Sequence, residues 1–103
     1  MILNGLTALT DFAAANAPAK KPLEAWQTLI SKNSFKHYIE LKNTFGAADY
    51  SAPYTIFDVG GNKFRIIALV SYETQVVYVK FVMTHSQYDG WCKTRAKTKG
   101  KKK

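Results

Sequence analysis

The sequence predicts an α+β domain in which helices come first, an antiparallel β-meander follows, and a short helix leads into a basic tail. Three observations predict it. Apolar residues recur at helical spacing as far as Phe45, the stretch from Tyr54 to Met83 is rich in β-branched and aromatic residues, and lysines accumulate after Asp89 without any further acid. At 103 residues the chain holds enough material for one modest core and too little for two, so residues 1–92 are read as a single domain and 93–103 as a C-terminal tail.

Leu6, Leu9 and Ala13 define a first helix over Leu3 to Ala15, with Asn4 as its cap and a break at Ala17-Pro18. Pro22 opens a second helix, whose stripe of Leu23, Trp26 and Ile30 belongs in the core. A third helical segment spans Phe35 to Phe45, with Tyr38, Leu41 and Phe45 on its apolar side, His37 on its polar side as a surface residue, and Gly46 as its stop. Ala47 to Pro53 reads as a loop, because Pro53 disfavours helix. Tyr54 to Val59 is then the first strand, and Gly60-Gly61-Asn62 the turn that follows it, the glycines reaching backbone conformations that other residues resist.

From Lys63 to Tyr72 the residues alternate. Phe64, Ile66, Ala68, Val70 and Tyr72 share the core face, while Lys63, Arg65, Ile67, Leu69 and Ser71 share the other. A polar Glu73-Thr74 turn leads into the next strand, Val76 to Met83. An even connection puts Val77, Val79, Phe81 and Met83 in the core and sets Tyr78, Lys80 and Val82 beside Arg65, which pairs with Val82 or, with a longer loop, with Thr84. With the helices on one sheet face, the face bearing Arg65 and Lys80 is expected to stay open. Thr84 and Gln87 have the spacing of a capping box, so a helix begins at His85, with His85 and Tyr88 on one side of it. Arg65, Lys80, His85 and Tyr88 are therefore expected in one neighbourhood, beside helix N–H groups suited to an anion such as phosphate.

The formal charge of +8 is unevenly spread: seven basic residues lie from Lys93 onward, leaving residues 1–92 with eight Lys/Arg against seven Asp/Glu. A tail of this kind suits either a polyanion, bound through counterion release, or the role of a solubilising end. The sequence has neither a long apolar run nor a signal-peptide pattern, so a soluble, cytoplasmic protein without membrane contact is expected. Cys92, the one cysteine, has no partner for a disulfide and reads as a reduced thiol. Metal-ligand clusters, glycine-rich phosphate loops and carboxylate pairs are missing from the sequence, so no metal and no cofactor are expected.

The combination FDVGGNKFRIIALV and VYVKFVMTHSQYD, preceded by ELKNTF and an early helix with Trp26, resembles the HigB toxins of bacterial toxin-antitoxin pairs, within the RelE-like superfamily. The spacing G-N-x-x-R then T-H-x-x-Y-D carries the resemblance, which covers nearly the whole chain. It implies a RelE-like fold and an endoribonuclease that cuts mRNA being translated in the A site of the small ribosomal subunit. It also implies a helix-turn-helix antitoxin of the HigA type, with operator DNA contacted only through the toxin-antitoxin complex. Arg65 matches the family's strand arginine, His85 its histidine and Tyr88 its tyrosine, while Lys80 is a looser match. His85 also departs from RelE itself, which uses lysine and arginine in that region.

Metal-free RNA cleavage needs an activated 2′-hydroxyl, a stabilised phosphorane-like transition state and a protonated leaving oxygen. The catalytic set expected from the resemblance is Arg65 chelating the scissile phosphate, Lys80 adding a point charge, His85 in its neutral form as general base, and Tyr88 stacking on a base or bonding to phosphate. Lys63, Lys93, Arg95, Lys97 and Lys99 are expected to hold RNA or ribosome by charge. Asp89 is placed to steady His85, or simply to supply acid to a helix start. Two other readings stand beside the enzyme: a non-catalytic RNA- or ribosome-binding module, and a protein-interaction subunit whose cationic face receives an antitoxin segment.

Overall fold

In the computed structural model the chain is described over residues 1–61 and 63–101, with the backbone alone described for 96–101. The turn residue Asn62 and the side chains of Lys97 and Lys99 lie outside the described residues. The chain runs β1 (Ile2–Asn4), α1 (Leu6–Ala15), a 3-10 turn (Ala17–Ala19), α2 (Lys20–Lys32), α3 (Tyr38–Thr44), β2 (Asp49–Ser51), β3 (Tyr54–Val59), β4 (Phe64–Ser71), β5 (Val76–Thr84) and α4 (His85–Lys101). Among these, no helix is long and apolar enough to cross a membrane.

The five strands form one sheet in the order β1-β5-β4-β3-β2. β3, β4 and β5 are the expected antiparallel meander, but the sheet is mixed, because β1 pairs parallel with β5 through Ile2↔Val76 to Asn4↔Tyr78. Two short edge strands lie where the sequence pattern predicts helix and loop. β1 lies in what reads as the start of the first helix, and that helix begins instead after Gly5, whose φ of 80° is left-handed. A side chain at Gly5 would run into the Val79 carbonyl oxygen, so glycine lets α1 turn tightly over β5. β2 lies in the expected loop and pairs with β3 through Tyr50↔Thr55.

The apolar stripe of α2 is buried as its spacing requires, with Trp26 edge-on to Phe57 at 5.1 Å. Leu9, Leu23, Ile30, Leu41, Phe64, Ile66, Ala68, Val77 and Val79 complete the core between the helices and one sheet face. His37 caps α3 by accepting from the Glu40 amide at 3.4 Å, which gives the surface histidine a structural task.

The hairpin departs from simple alternation at one point. The register set by the Glu73-Thr74 turn holds from Ser71↔Val76 to Ala68↔Val79, then a bulge skips Lys80, so that Ile67 faces Phe81, Ile66 faces Val82 and Arg65 faces Met83. Beyond the bulge every side chain of β5 changes face. Val82 packs against the core, and Phe81 and Met83 join Arg65 on the opposite face, the reverse of the expectation from alternation.

Candidate active site

The site forms where β3, β4 and the first turns of α4 meet. The capping box is present in both directions: the Gln87 amide donates to Thr84 Oγ1 at 3.2 Å and the Thr84 amide to Gln87 Oε1 at 2.9 Å. The His85 amide donates to the Lys63 carbonyl at 2.9 Å, tying the helix start to the entry of β4. Two of the helix N–H groups expected to await an anion are thus satisfied within the protein. The exposed side chain of Lys63 stands beside this junction.

Arg65 is 8% exposed, so the face expected to stay open is in fact covered at this point by α4. Its Nη1 donates to Asp58 Oδ1 at 3.0 Å in an ion pair, and to the Phe64 carbonyl at 3.3 Å. Nη2 meets His85 Nδ1 at 3.2 Å, and the guanidinium lies 5.3 Å from the centre of the Tyr88 ring. Burying a cation is tolerable here because a carboxylate from the neighbouring strand, at register position Asp58↔Arg65, compensates it. Arg65 is therefore held in place as a fixed charge, rather than offering a free fork to a phosphate.

A guanidinium only donates, so the ring nitrogen facing it must accept. His85 Nδ1 is then unprotonated and the neutral ring carries its proton on Nε2, which points toward Asp89 Oδ2 at 3.7 Å. The side chains of His85 and Asp89 are 51% and 57% exposed, which leaves this end of the imidazole open to a substrate. Tyr88 stands behind, its ring stacked at 25° on Trp91. Burial first, then a hydrogen bond with Cys92, push its phenol up to about 12, so the hydroxyl stays protonated and can act only as a neutral group.

The bulge leaves Lys80 without a cross-strand partner on β4, and it lines an open groove with Ala8, Asp11 and Phe12 of α1 and with Phe81, Met83 and Gln87, so the register that was to set it beside Arg65 is not formed. The segment from Lys93 onward continues α4 to Lys101. Lys93 is exposed on that helix, but Arg95 is engaged: its guanidinium sits 4.5 Å from the Trp91 ring and 5.2 Å from Tyr54, and Nη2 donates to the Ala52 carbonyl at 2.8 Å. It clamps α4 to the β2–β3 turn. No group of three His, Cys, Asp or Glu side chains among the described residues is arranged to hold a metal ion.

Asp58, Tyr54 and Trp91 were not assigned to the site from sequence. Asp58 had a legible signal, since strand pairing across the Gly60-Gly61 turn puts an acid opposite Arg65.

Residues 19–91 match the sequence model of the HigB toxin, described as a RelE-like toxic component of a toxin-antitoxin system. The mRNA interferase toxin HigB of Escherichia coli (strain K12) is 39% identical over 98 residues, covering 92% of this chain and 93% of that protein. The mRNA interferase HigB of Shigella flexneri is 39% identical over the same length, and that of Escherichia coli O6:H1 is 29% identical over 70 residues, covering 65% of this chain and 68% of the relative. The chain belongs to the HigB toxin family, the RelE-like toxic components of toxin-antitoxin systems, and so has an antitoxin as its partner.

Proposed function

We propose that this chain is an mRNA interferase, an endoribonuclease of the cytoplasm that cuts mRNA in the A site of translating ribosomes and is neutralised by a helix-turn-helix antitoxin of the HigA type. The observation that carries the reading is the exposed Nε2 of His85 held in place by a buried, ion-paired Arg65. The names of the relatives support the same activity.

Cleavage proceeds by attack of the 2′-oxygen on phosphorus, departure of the 5′-oxygen and formation of a 2′,3′-cyclic phosphate. His85, with its proton on Nε2, is suited to donate a hydrogen bond to the phosphate or the leaving 5′-oxygen, which takes its proton from water. This reverses the general-base role expected from sequence, because Nδ1 is taken by Arg65. Asp89, next to Nε2, is an exposed carboxylate that can accept the 2′-hydroxyl proton. Arg65 places positive charge behind the imidazole, where it opposes the charge building on the phosphate, and removing one such group typically costs about 10²–10³ in rate. Tyr88, with its ring engaged by Arg65 and Trp91, orients the guanidinium.

The reading is tested by end analysis of the fragments made in a translation reaction. It predicts 2′,3′-cyclic phosphate or 3′-phosphate ends, produced equally well after chelation of divalent ions once the ribosome complexes are fixed. Fragments bearing 3′-hydroxyl ends would contradict it, and the Arg65→Ala chain separates a nuclease from a module that only binds, which has no cleavage to lose.

A further inference from the structure

The bulge in β5 has turned one large apolar side chain outward beside the site. Phe81 is 44% exposed, while Ile67 opposite it is 0% exposed and Ile56 on the next strand 2%. The floor of this face is sealed, so the outward ring surface is not left over from a packing gap. Bulges beside functional sites commonly re-aim a side chain. Here the skipped residue is Lys80, and without the bulge Phe81 would lie in the core.

The ring is also propped. Tyr54 meets Phe81 edge-on at 6.4 Å, Tyr54 is itself edge-on to Trp91 at 5.7 Å, and Trp91 stacks on Tyr88 at 5.8 Å. The Arg95 clamp fixes Tyr54 and Trp91 from the other side. An aromatic row thus runs from Phe81 to Tyr88, and ends at Arg65. Phe81 stands two residues along β5 from Met83, the cross-strand partner of Arg65, a separation of about 7 Å along the strand.

We propose that Phe81, backed by Tyr54, is a stacking subsite for an unpaired base of the RNA strand whose phosphate lies at His85. The inference rests on the reading of the chain as a nuclease and names where its substrate is gripped. A flat, preset ring next in sequence to exposed Lys80 suits a nucleobase joined to a phosphodiester, and stacking on it tolerates any base. Continuity of the aromatic row with the His85 site favours the RNA strand over an apolar segment of the antitoxin.

The test is titration of the full chain into a short single-stranded RNA carrying 2-aminopurine, with 2′-deoxy sugars to prevent cleavage. Stacking should quench the probe, and Phe81→Leu should weaken binding by about 5- to 100-fold and abolish the quench, while Phe81→Tyr retains both. Equal quenching by wild type and Phe81→Leu, no binding of the RNA by wild type, or equal loss in the Leu and Tyr variants would overturn the subsite, as would a Phe81→Leu chain impaired only in antitoxin binding. If the Leu variant does not fold, photocrosslinking of wild type to 5-bromouridine RNA decides: attachment at Phe81 or Tyr54 supports the subsite, attachment confined to other residues removes it. Neither readout needs cleavage. Phe81-dependent quenching by a chain that never cuts RNA would leave the subsite standing and sink the nuclease reading, and cutting without dependence on Phe81 would do the opposite.

Discussion

The Arg65 guanidinium donates to His85 Nδ1 across 3.2 Å, and this one contact decides which end of the imidazole meets the substrate. Asp58 holds the guanidinium from the other side at 3.0 Å, so a carboxylate, a cation and a neutral ring lie in sequence from the sheet to the surface. Nε2 is the end that remains.

Replacing Asp58 by Asn leaves the nearly buried Arg65 without its counter-ion. The expected loss is about 2–3 kcal/mol, toward the low end for a broken buried ion pair because the Phe64 carbonyl and His85 still accept from Arg65. Thermal unfolding followed by circular dichroism measures it, and an unchanged midpoint would mean that the pair contributes nothing.

Gly5→Ala should be destabilising by about 2 kcal/mol, since it forces a side chain into the left-handed region and against the Val79 carbonyl oxygen. Gly46 offers an internal comparison: nothing stands within 4 Å of a side chain there, so Gly46→Ala should be close to neutral. Urea denaturation of the two variants side by side tests the contrast.

Tyr88 makes an alkaline prediction. Its phenol, pushed from 10.0 to about 12 chiefly by burial, is protonated in the folded chain at pH values where the unfolded chain has lost that proton. The unfolded state therefore binds fewer protons above pH 10, and the stabilisation from Tyr88, complete below pH 10, is lost as the pH rises toward 12. Tyr88→Phe should flatten this part of the stability profile, and a profile identical to wild type between those limits would refute the assignment.

Truncation at Lys93 is a less simple test of charge than the sequence suggests. It removes Arg95 along with the lysines, and so releases the clamp on Trp91, Tyr54 and the Ala52 carbonyl. Arg95→Ala alone should lower stability by about 1 kcal/mol, while Lys93→Ala should leave stability unchanged. Comparing the salt dependence of ribosome binding for the two separates packing from counterion release.

Where local chemistry determines the outcome, the sequence was legible. Tyr54–Val59 is a strand to the residue, the Thr84–Gln87 capping box starts the last helix at His85, and the stripe of Leu23, Trp26 and Ile30 is core. Arg65, His85 and Tyr88 meet as strand pairing and helix spacing implied. What stayed hidden depends on partners distant in sequence. The three-residue strands β1 and β2 are too short to show alternation and exist because β5 and β3 present edges to them. The bulge at Lys80 leaves no mark in an apolar run where Val79, Phe81, Val82 and Met83 suit either face, yet it exchanges the neighbours of Arg65 and takes Lys80 out of the pairing register. Arg95 reads as one more tail cation, and only the fold brings Tyr54 beneath it.

Primer extension on a defined mRNA, with the purified chain and with or without translating ribosomes, tests the central claim most directly. The account predicts cuts that appear only during translation and fall by about 10²–10³ in Arg65→Ala, with ribosome binding mostly retained. Absence of cuts in both conditions from a folded wild-type sample, or full cutting by Arg65→Ala, would contradict it.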